Sequence, residues 1–305
     1  MRAGIPVNNE RLGSIITVSK NKRKPLERRQ QKYIDDLTMS ASLNLRKLLI
    51  LDPQSLCKPL TYHSRTGHRL LDEANPLHVD LMNLTKYAET HKMKINSSKT
   101  KLMLFNTCKS YDFEPEVQLS GNLVETHQEL KLLGITLTDD LKWGANTSYI
   151  TRKCYSRLWM IIRLKKLGAS TEDLVDTYIK QVRSILEFGV PVWHPGLTKR
   201  DSYILERIQK ATLAVILGPS FNSYSDALSF LNLKTLSDRR DTLCLSFALK
   251  CEKNPRYKNW FKENTKQNTR NATKYKPVWT RTRRFEKSPL PYLTNLLNEY
   301  YRGSS

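Results

Sequence analysis

Negative charge is scarce in this 305-residue chain: 29 Asp and Glu face 51 Lys and Arg, a formal net charge of +22. So uneven a balance repels itself in isolation and is offset by a polyanion, of which nucleic acid is the usual one. A ribosome-type or membrane-surface binder, or a merely solvated basic surface, are the other classes that charge alone leaves open. Cysteine is sparse and scattered. Cys57, Cys108, Cys154, Cys244 and Cys251 form no C-x-x-C pair, which argues against a zinc ribbon or a disulfide framework and fits a reducing compartment. His63 and His68 sit in a stretch rich in Gly and Arg with no cysteine partners nearby, and read as loop residues. No apolar run approaches the ~18 residues of a membrane span, and no signal-peptide core opens the chain. The expectation is an intracellular protein, nuclear or cytoplasmic, with no membrane partner. No internal repeat is visible.

The pattern along the chain predicts an α+β protein in four parts. Residues 1–32 hold a short apolar stretch (Ile15, Ile16, Val18) and a basic run from Lys20 to Lys32, broken by Pro25 and readable as a nuclear localisation signal. Residues 33–145 read as mixed α and β. Asp35 and Asp36, flanked by β-formers, suit the turn of a tight hairpin. Residues 52–75 read as loop, and 77–93 as a helix with Leu77, Leu81, Leu84, Ala88 and His91 on one face. Lys99 to Phe105 alternates as a strand, Gly121-Asn122 marks a turn, and Leu130 to Leu137 is another strand block.

From 146 to 251 the period is helical. A helix over 147–167 stops at Gly168. Ser170 with Asp173 announces the next, whose face is Leu174, Tyr178, Val182 and Ile185, and which Pro191 ends. Thr198 with Asp201 announces a third, running through Leu205, Ile208 and Val215 to Gly218-Pro219, with shorter helices at 224–232 and 237–251. Residues 252–305 change character. Positions 252–287 carry twelve Lys or Arg and three acids, interleaved with Tyr257, Trp260, Phe261, Tyr275, Trp279 and Phe285. Basic residues neutralise phosphates and aromatic rings stack on bases, which makes Lys262, Lys266, Arg281, Arg283, Arg284 and Trp279 candidate contacts to nucleic acid. The same composition also describes a connector whose aromatics anchor it to the helices. Leu290, Leu293, Leu296 and Leu297 mark a terminal helix.

The sharpest motif is Tyr33-Ile34-Asp35-Asp36. A carboxylate pair at a hairpin tip is how template-directed polymerases present ligands to two Mg²⁺ ions. Three further segments follow in register with it: Gly4-Ile5-Pro6 to Gly13 before it, Lys94-Ile95-Asn96-Ser97-Ser98-Lys99-Thr100-Lys101 after it, and Leu132-Leu133-Gly134-Ile135-Thr136-Leu137 with Asp140-Leu141-Lys142-Trp143 beyond. In this order and spacing they resemble the reverse transcriptases of non-LTR (LINE-type) retrotransposons, and residues 146–250, Ser184 to Trp193 among them, resemble the helical thumb and following region of the same elements.

The resemblance implies a fold and a site. A partial polymerase palm, a short antiparallel sheet with a helix, would be followed by an all-α thumb and C-terminal helical region. Asp35 and Asp36 would be metal ligands, with Mg²⁺ the cofactor of the parent enzyme. Lys99 or Lys101 would assist the pyrophosphate side, Tyr33 would touch nucleic acid, and Gly134 and Lys142 would belong to the turn that grips the primer. RNA template, DNA primer or their hybrid duplex would be the partner. The sequence also departs from the family: Val7-Asn8 stands where Gln-Gly is expected, Ser14 where Pro is, and no Asp precedes Asp35. The family's two-metal chemistry needs an aspartate upstream of the hairpin. The expectation is therefore a truncated reverse transcriptase, inactive alone. A non-catalytic RNA- or hybrid-binding protein, and a translated remnant with no retained role, are the alternatives.

Overall fold

The computed structural model describes residues 17–18, 37–38, 66–70, 76–93, 95–96, 99–105, 112–119, 121–264 and 273–303. Contacts divide the chain into two units, Met1–Leu130 and Lys131–Ser305. Their contents are consistent with an α+β chain that is mostly helical.

The first unit holds short ladders and one helix. β1 (Thr17–Val18) pairs antiparallel with β2 (Leu37–Thr38), placing a strand directly after the Asp35-Asp36 pair. β3 (Thr66–Leu70) pairs with β4 (Asp112–Glu116) in parallel over five residues. Parallel strands need a long crossover, usually through a helix, and here it carries α1 (Pro76–Thr90). Proline at the first helical position sacrifices an N–H that would be unbonded anyway.

Two expectations are corrected in this unit. Residues 66–70, His68 among them, are strand rather than loop. Lys99–Phe105 is not a strand: only Leu102 pairs, in a single bridge to Thr126, accepting from the His127 N–H and donating to the Glu125 carbonyl. The Gly121 turn is present, with φ +80, between β5 (Gln118–Leu119) and β6 (Asn122–Leu123). A small core of Val117, Leu119 and Val124 gathers Leu81, Ile95 and Leu102 around it.

The second unit is built on helices. β7 (Glu129–Leu132) and β8 (Ile135–Thr138) form a hairpin, so the expected single block at 130–137 is two strands. Leu133 (φ +47) and Gly134 (φ +87) make the tight reversal, matching the primed turn that suits strand twist. The helices follow as α2 (Gly144–Lys166), α3 (Thr171–Thr177), a π-helical stretch Tyr178–Arg183, α4 (Ser184–Leu186), α5 (Val190–Trp193), α6 (Lys199–Leu217), α7 (Tyr224–Phe230), α8 (Leu236–Lys253), α9 (Arg283–Glu286) and α10 (Pro289–Gly303).

One capping device starts four of these helices. Ser170, Thr198, Ser223 and Thr235 each accept a hydrogen bond from the N–H of an aspartate three residues on, Asp173, Asp201, Asp226 and Asp238. The hydroxyl satisfies an otherwise unbonded N–H, and the carboxylate sits at the positive end of the helix. Such caps are worth about 1 kcal/mol each.

The π-helical stretch corrects the expected face of its helix. Leu174, Tyr178, Val182 and Leu186 are buried, at steps of four throughout, and Ile185 is only half-buried. In an ideal α-helix each step of four overshoots by roughly 40°. The wider turn across Tyr178–Arg183 absorbs that overshoot and keeps all four side chains on the core. Pro191 does not end this helix: the chain reverses at Gly189 (φ +66), and Pro191 lies in the first turn of α5. A Cβ on Gly189 would lie 2.6 Å from the Ile135 side chain, so the hairpin docks where only glycine fits.

Part of the aromatic-rich segment belongs to the same core. Phe261 and Tyr275 are buried in it alongside Leu293 and Leu297 of α10. Tyr275 exchanges two hydrogen bonds with the Asn298 side chain, accepting at its carbonyl and donating from its N–H. Glu252 on α8 accepts from Lys274, Tyr275 and Tyr301, and the Lys274 ammonium lies 3.6 Å from the Tyr301 ring centroid.

A second polar network ties the turn after α5 to α6, α8 and α10. The fully buried Arg240 donates from Nε to His194 Nδ1 at 3.1 Å and from Nη2 to Ser202 Oγ at 2.7 Å. With Nδ1 accepting, the His194 proton sits on Nε2, which donates to Asp241 at 2.8 Å. Tyr292 of α10 also donates to Asp241.

Burial depresses the His194 pKa below its usual 6.5, the adjacent Arg240 charge adds to this, and Asp241 opposes it. A depressed imidazole binds its proton more weakly folded than unfolded, so the stability it contributes is present above about pH 6.5 and is lost as pH falls below it. Urea midpoints of the protein should decline between pH 7.5 and 5.5, and His194→Gln should flatten that decline; an unchanged slope would count against this site. Gly189→Ala should lower stability by about 1–3 kcal/mol through the left-handed backbone and the Ile135 clash, read as a lower urea midpoint at constant m-value.

Candidate nucleic-acid interface

The helical unit builds its outer surface from α2. From Leu141 to Thr171 the sequence contains no acidic residue, while Lys142, Arg152, Lys153, Arg157, Arg163, Lys165 and Lys166 fall in it. The period of the helix divides its residues cleanly. Thr147, Ile150, Cys154, Leu158 and Ile161 face the core. On the opposite side Ser148, Arg152, Tyr155, Trp159, Arg163 and Lys166 are exposed in one stripe, with Trp159 66% accessible. A tryptophan in water forfeits a large burial gain, and aromatic rings gathered beside cations make this stripe a candidate binding surface.

Lys165 is the exception among the cations. Its Nζ donates to the Val215 and Ile216 carbonyls at 2.6 and 3.0 Å and caps the C-terminus of α6. Gly218 leaves it room, since a Cβ there would lie 2.6 Å from Nζ.

Near the start of α2, three cations close on one ring. Lys131 Nζ donates to the Tyr149 hydroxyl at 2.6 Å and lies 4.2 Å from its ring centroid, with Arg152 and Lys153 at 6.0 and 5.8 Å. The hydrogen bond from Lys131 and the surrounding charges hold the phenol below its usual pKa. Like charges gathered this closely oppose folding unless an anion joins them.

α6 packs against α2 and repeats the pattern. Lys199, Tyr203, Arg207 and Lys210 form its exposed stripe, with Arg207 6.0 Å from the Tyr203 ring. Between the two helices runs an open groove of about 490 Å³, lined by Thr147, Ser148, Thr151, Arg152, Tyr155, Asp201 and Ile204.

The residues singled out from sequence fare differently. Tyr33, Asp35, Asp36 and Lys266 lie outside the described residues. Lys99 and Lys101 are exposed, Lys99 in a short turn whose N–H reaches Asn96. Gly134 is the left-handed residue of the hairpin turn, where a Cβ would come within 3.0 Å of the Phe188 ring. Lys142 is exposed but engaged: its ammonium meets Asp140 at 2.6 Å and lowers that carboxyl to about 2.

Lys262, Arg281, Arg283 and Arg284 are all exposed, and Trp279 is 79% accessible. The aromatics of this segment therefore divide: Phe261 and Tyr275 anchor, whereas Trp260, Trp279 and Phe285 face solvent. Arg152, Tyr155, Trp159, Tyr203 and Arg207 were missed in the sequence reading. Their signal was the acid-free interval 141–171 read together with helical period. Among the described residues no group of three or more His, Cys, Asp or Glu side chains could hold a metal, and no helix is long and apolar enough to cross a membrane.

No protein-family model matches the chain, and no solved structure matches it. It is similar to a curated Drosophila melanogaster protein described as a probable RNA-directed DNA polymerase from transposon BS, with 25% identity over 176 residues. The match covers 55% of this chain and 19% of the relative, so the chain spans about a fifth of that protein's length.

If the cations around Tyr149 contact phosphates, replacing Lys131, Arg152 and Lys153 together by alanine should reduce the slope of log affinity against log salt by about two, since each phosphate contact contributes roughly 0.7–0.9. Titration of a labelled oligonucleotide at several salt concentrations measures this; an unaltered slope removes the cluster from the interface.

Proposed function

We propose that this chain is a fragment of an RNA-directed DNA polymerase of non-LTR retrotransposon type, and that by itself it grips nucleic acid without extending a primer. In this reading residues 33–145 carry part of a palm, 146–251 a thumb-like helical domain, and 252–305 a basic segment that closes on it. The observation that carries the reading is α2: an acid-free helix with Arg152, Tyr155, Trp159 and Arg163 on its exposed face. The similarity to the transposon polymerase and the order of the four sequence segments support the same conclusion.

In the parent enzyme Mg²⁺ would activate the primer hydroxyl and neutralise the leaving pyrophosphate. Asp35 and Asp36 are the candidate ligands, with Lys99 or Lys101 beside the pyrophosphate. Residues 1–34 contain no aspartate. On the family's pattern the two-metal chemistry needs a further aspartate before the pair, which residues 1–34 do not supply. RNA template and DNA primer are the partners that follow from the reading.

Primer extension on an RNA template with Mg²⁺ and this polypeptide should give no product, with wild type and Asp35→Ala/Asp36→Ala equally silent. Both should shift the same primer–template at low salt. Incorporation that the double variant abolishes would show that another acid completes the metal site. Absence of any shift would overturn the nucleic-acid reading.

A further inference from the structure

The two exposed stripes are made of different things from a duplex clamp. A surface that holds duplex backbone needs cations and hydrogen-bond donors, and gains little from aromatic faces, because paired bases keep their own faces stacked. Here Trp159 and Tyr203 are 66% and 65% accessible and Tyr155 46%. Their spacing is informative as well. Tyr155 and Trp159 stand four residues apart on α2, about 6 Å along its axis. Stacked bases within a strand are separated by only about 3.4 Å. Two bases resting on these rings are therefore drawn apart, as in an extended single strand.

The groove between the stripes adds a second constraint. Its lining includes Arg152, the hydroxyls of Ser148, Thr151 and Tyr155, of which Thr151 donates to the Thr147 carbonyl, and the Asp201 carboxylate, which accepts from Thr198. The carboxylate disfavours a phosphate at that point, whereas it and the hydroxyls are suited to a sugar hydroxyl, which can both donate and accept. Phosphates then fall on Arg152, itself part of the lining, and to either side on Arg163 of α2 and on Arg207 and Lys210 of α6.

Resting on the proposed function, we infer that the α2–α6 face binds single-stranded RNA, with bases stacked on Tyr155, Trp159 and Tyr203 and ribose hydroxyls turned into the groove. The charge complementarity selects this occupant over a second copy of the chain, whose own stripes are equally basic. In the setting of a polymerase such a face would hold template that is not yet, or no longer, paired.

Fluorescence anisotropy on the full chain at one fixed salt concentration tests this, with labelled oligouridine, oligothymidine and an RNA–DNA hybrid of equal length. Oligouridine should bind at least tenfold tighter than the hybrid and several-fold tighter than oligothymidine. Trp159→Ala and Tyr203→Ala should each weaken oligouridine binding about 5- to 100-fold and leave the hybrid unchanged. Trp159→Phe should restore most of the loss. Far-UV spectra and melting curves should be unaltered, since both rings project from the surface. Equal or tighter binding of the hybrid, or oligouridine affinity unmoved by both alanine variants, overturns the single-strand assignment. Equal affinity for oligothymidine overturns the ribose contact. Sedimentation as a dimer that oligouridine does not dissociate would assign the face to a second copy. If no nucleic acid binds even at low salt, the proposed function itself fails.

Discussion

The fate of the few carboxylates governs this structure. Asp173, Asp201, Asp226 and Asp238 occupy the same place in four helix starts. Glu187 meets Arg239, Asp241 receives His194 and Tyr292, Glu206 receives Tyr224 and the Leu236 N–H, and Glu252 holds Lys274, Tyr275 and Tyr301. The acids of the helical unit are thus concentrated at helix ends and inside networks that join helices. Among the cations Arg239, Arg240 and Lys274 share those networks and Lys165 caps a helix, while most of the others remain on the surface. The basic face of α2 is in this sense a consequence of how the bundle is capped and tied.

Those networks also explain how a chain of such charge keeps a close-packed interior. Arg240 is buried without a carboxylate directly on its guanidinium, its Nε and Nη2 satisfied by a neutral imidazole and a hydroxyl. Asp241 and Glu206 lie close enough to favour its charged form, against the cost of burial. A buried charge left unpaired would cost several kcal/mol, so removing any single member is more disruptive than its one or two hydrogen bonds suggest.

Legibility from sequence followed the physics of each element. The long helices were readable because their apolar residues recur with helical period and their ends carry Ser or Thr, Asp, and Gly. The Ser170 and Thr198 caps and the Gly168 and Gly218 stops lie where the pattern put them. Ser223 with Asp226 and Thr235 with Asp238 carry the same signature and were passed over. What was illegible depended on partners distant in sequence. β3 pairs with a strand more than forty residues on. The alternation at Lys99–Phe105 met no matching strand, and so made only the Leu102 bridge. The π-helical stretch was invisible because the steps from Leu174 to Val182 look α-helical until Leu186, rather than Ile185, turns inward.

The site divides in the same way. A motif such as Tyr33-Ile34-Asp35-Asp36 can be picked out because it is contiguous in sequence, and it lies outside the described residues. The proposed binding face depends on period and exposure together, and Tyr155, Trp159 and Tyr203 read equally well as core until burial is known. The aromatics at 257–285 show the reverse case: composition suggested one function for all of them, yet Phe261 and Tyr275 are structural. This difference bears on how grip and chemistry can part. The helical unit has its own core, its own caps and a surface that needs no metal. Under the proposed function, affinity for nucleic acid would reside in that surface and would not depend on Asp35 and Asp36.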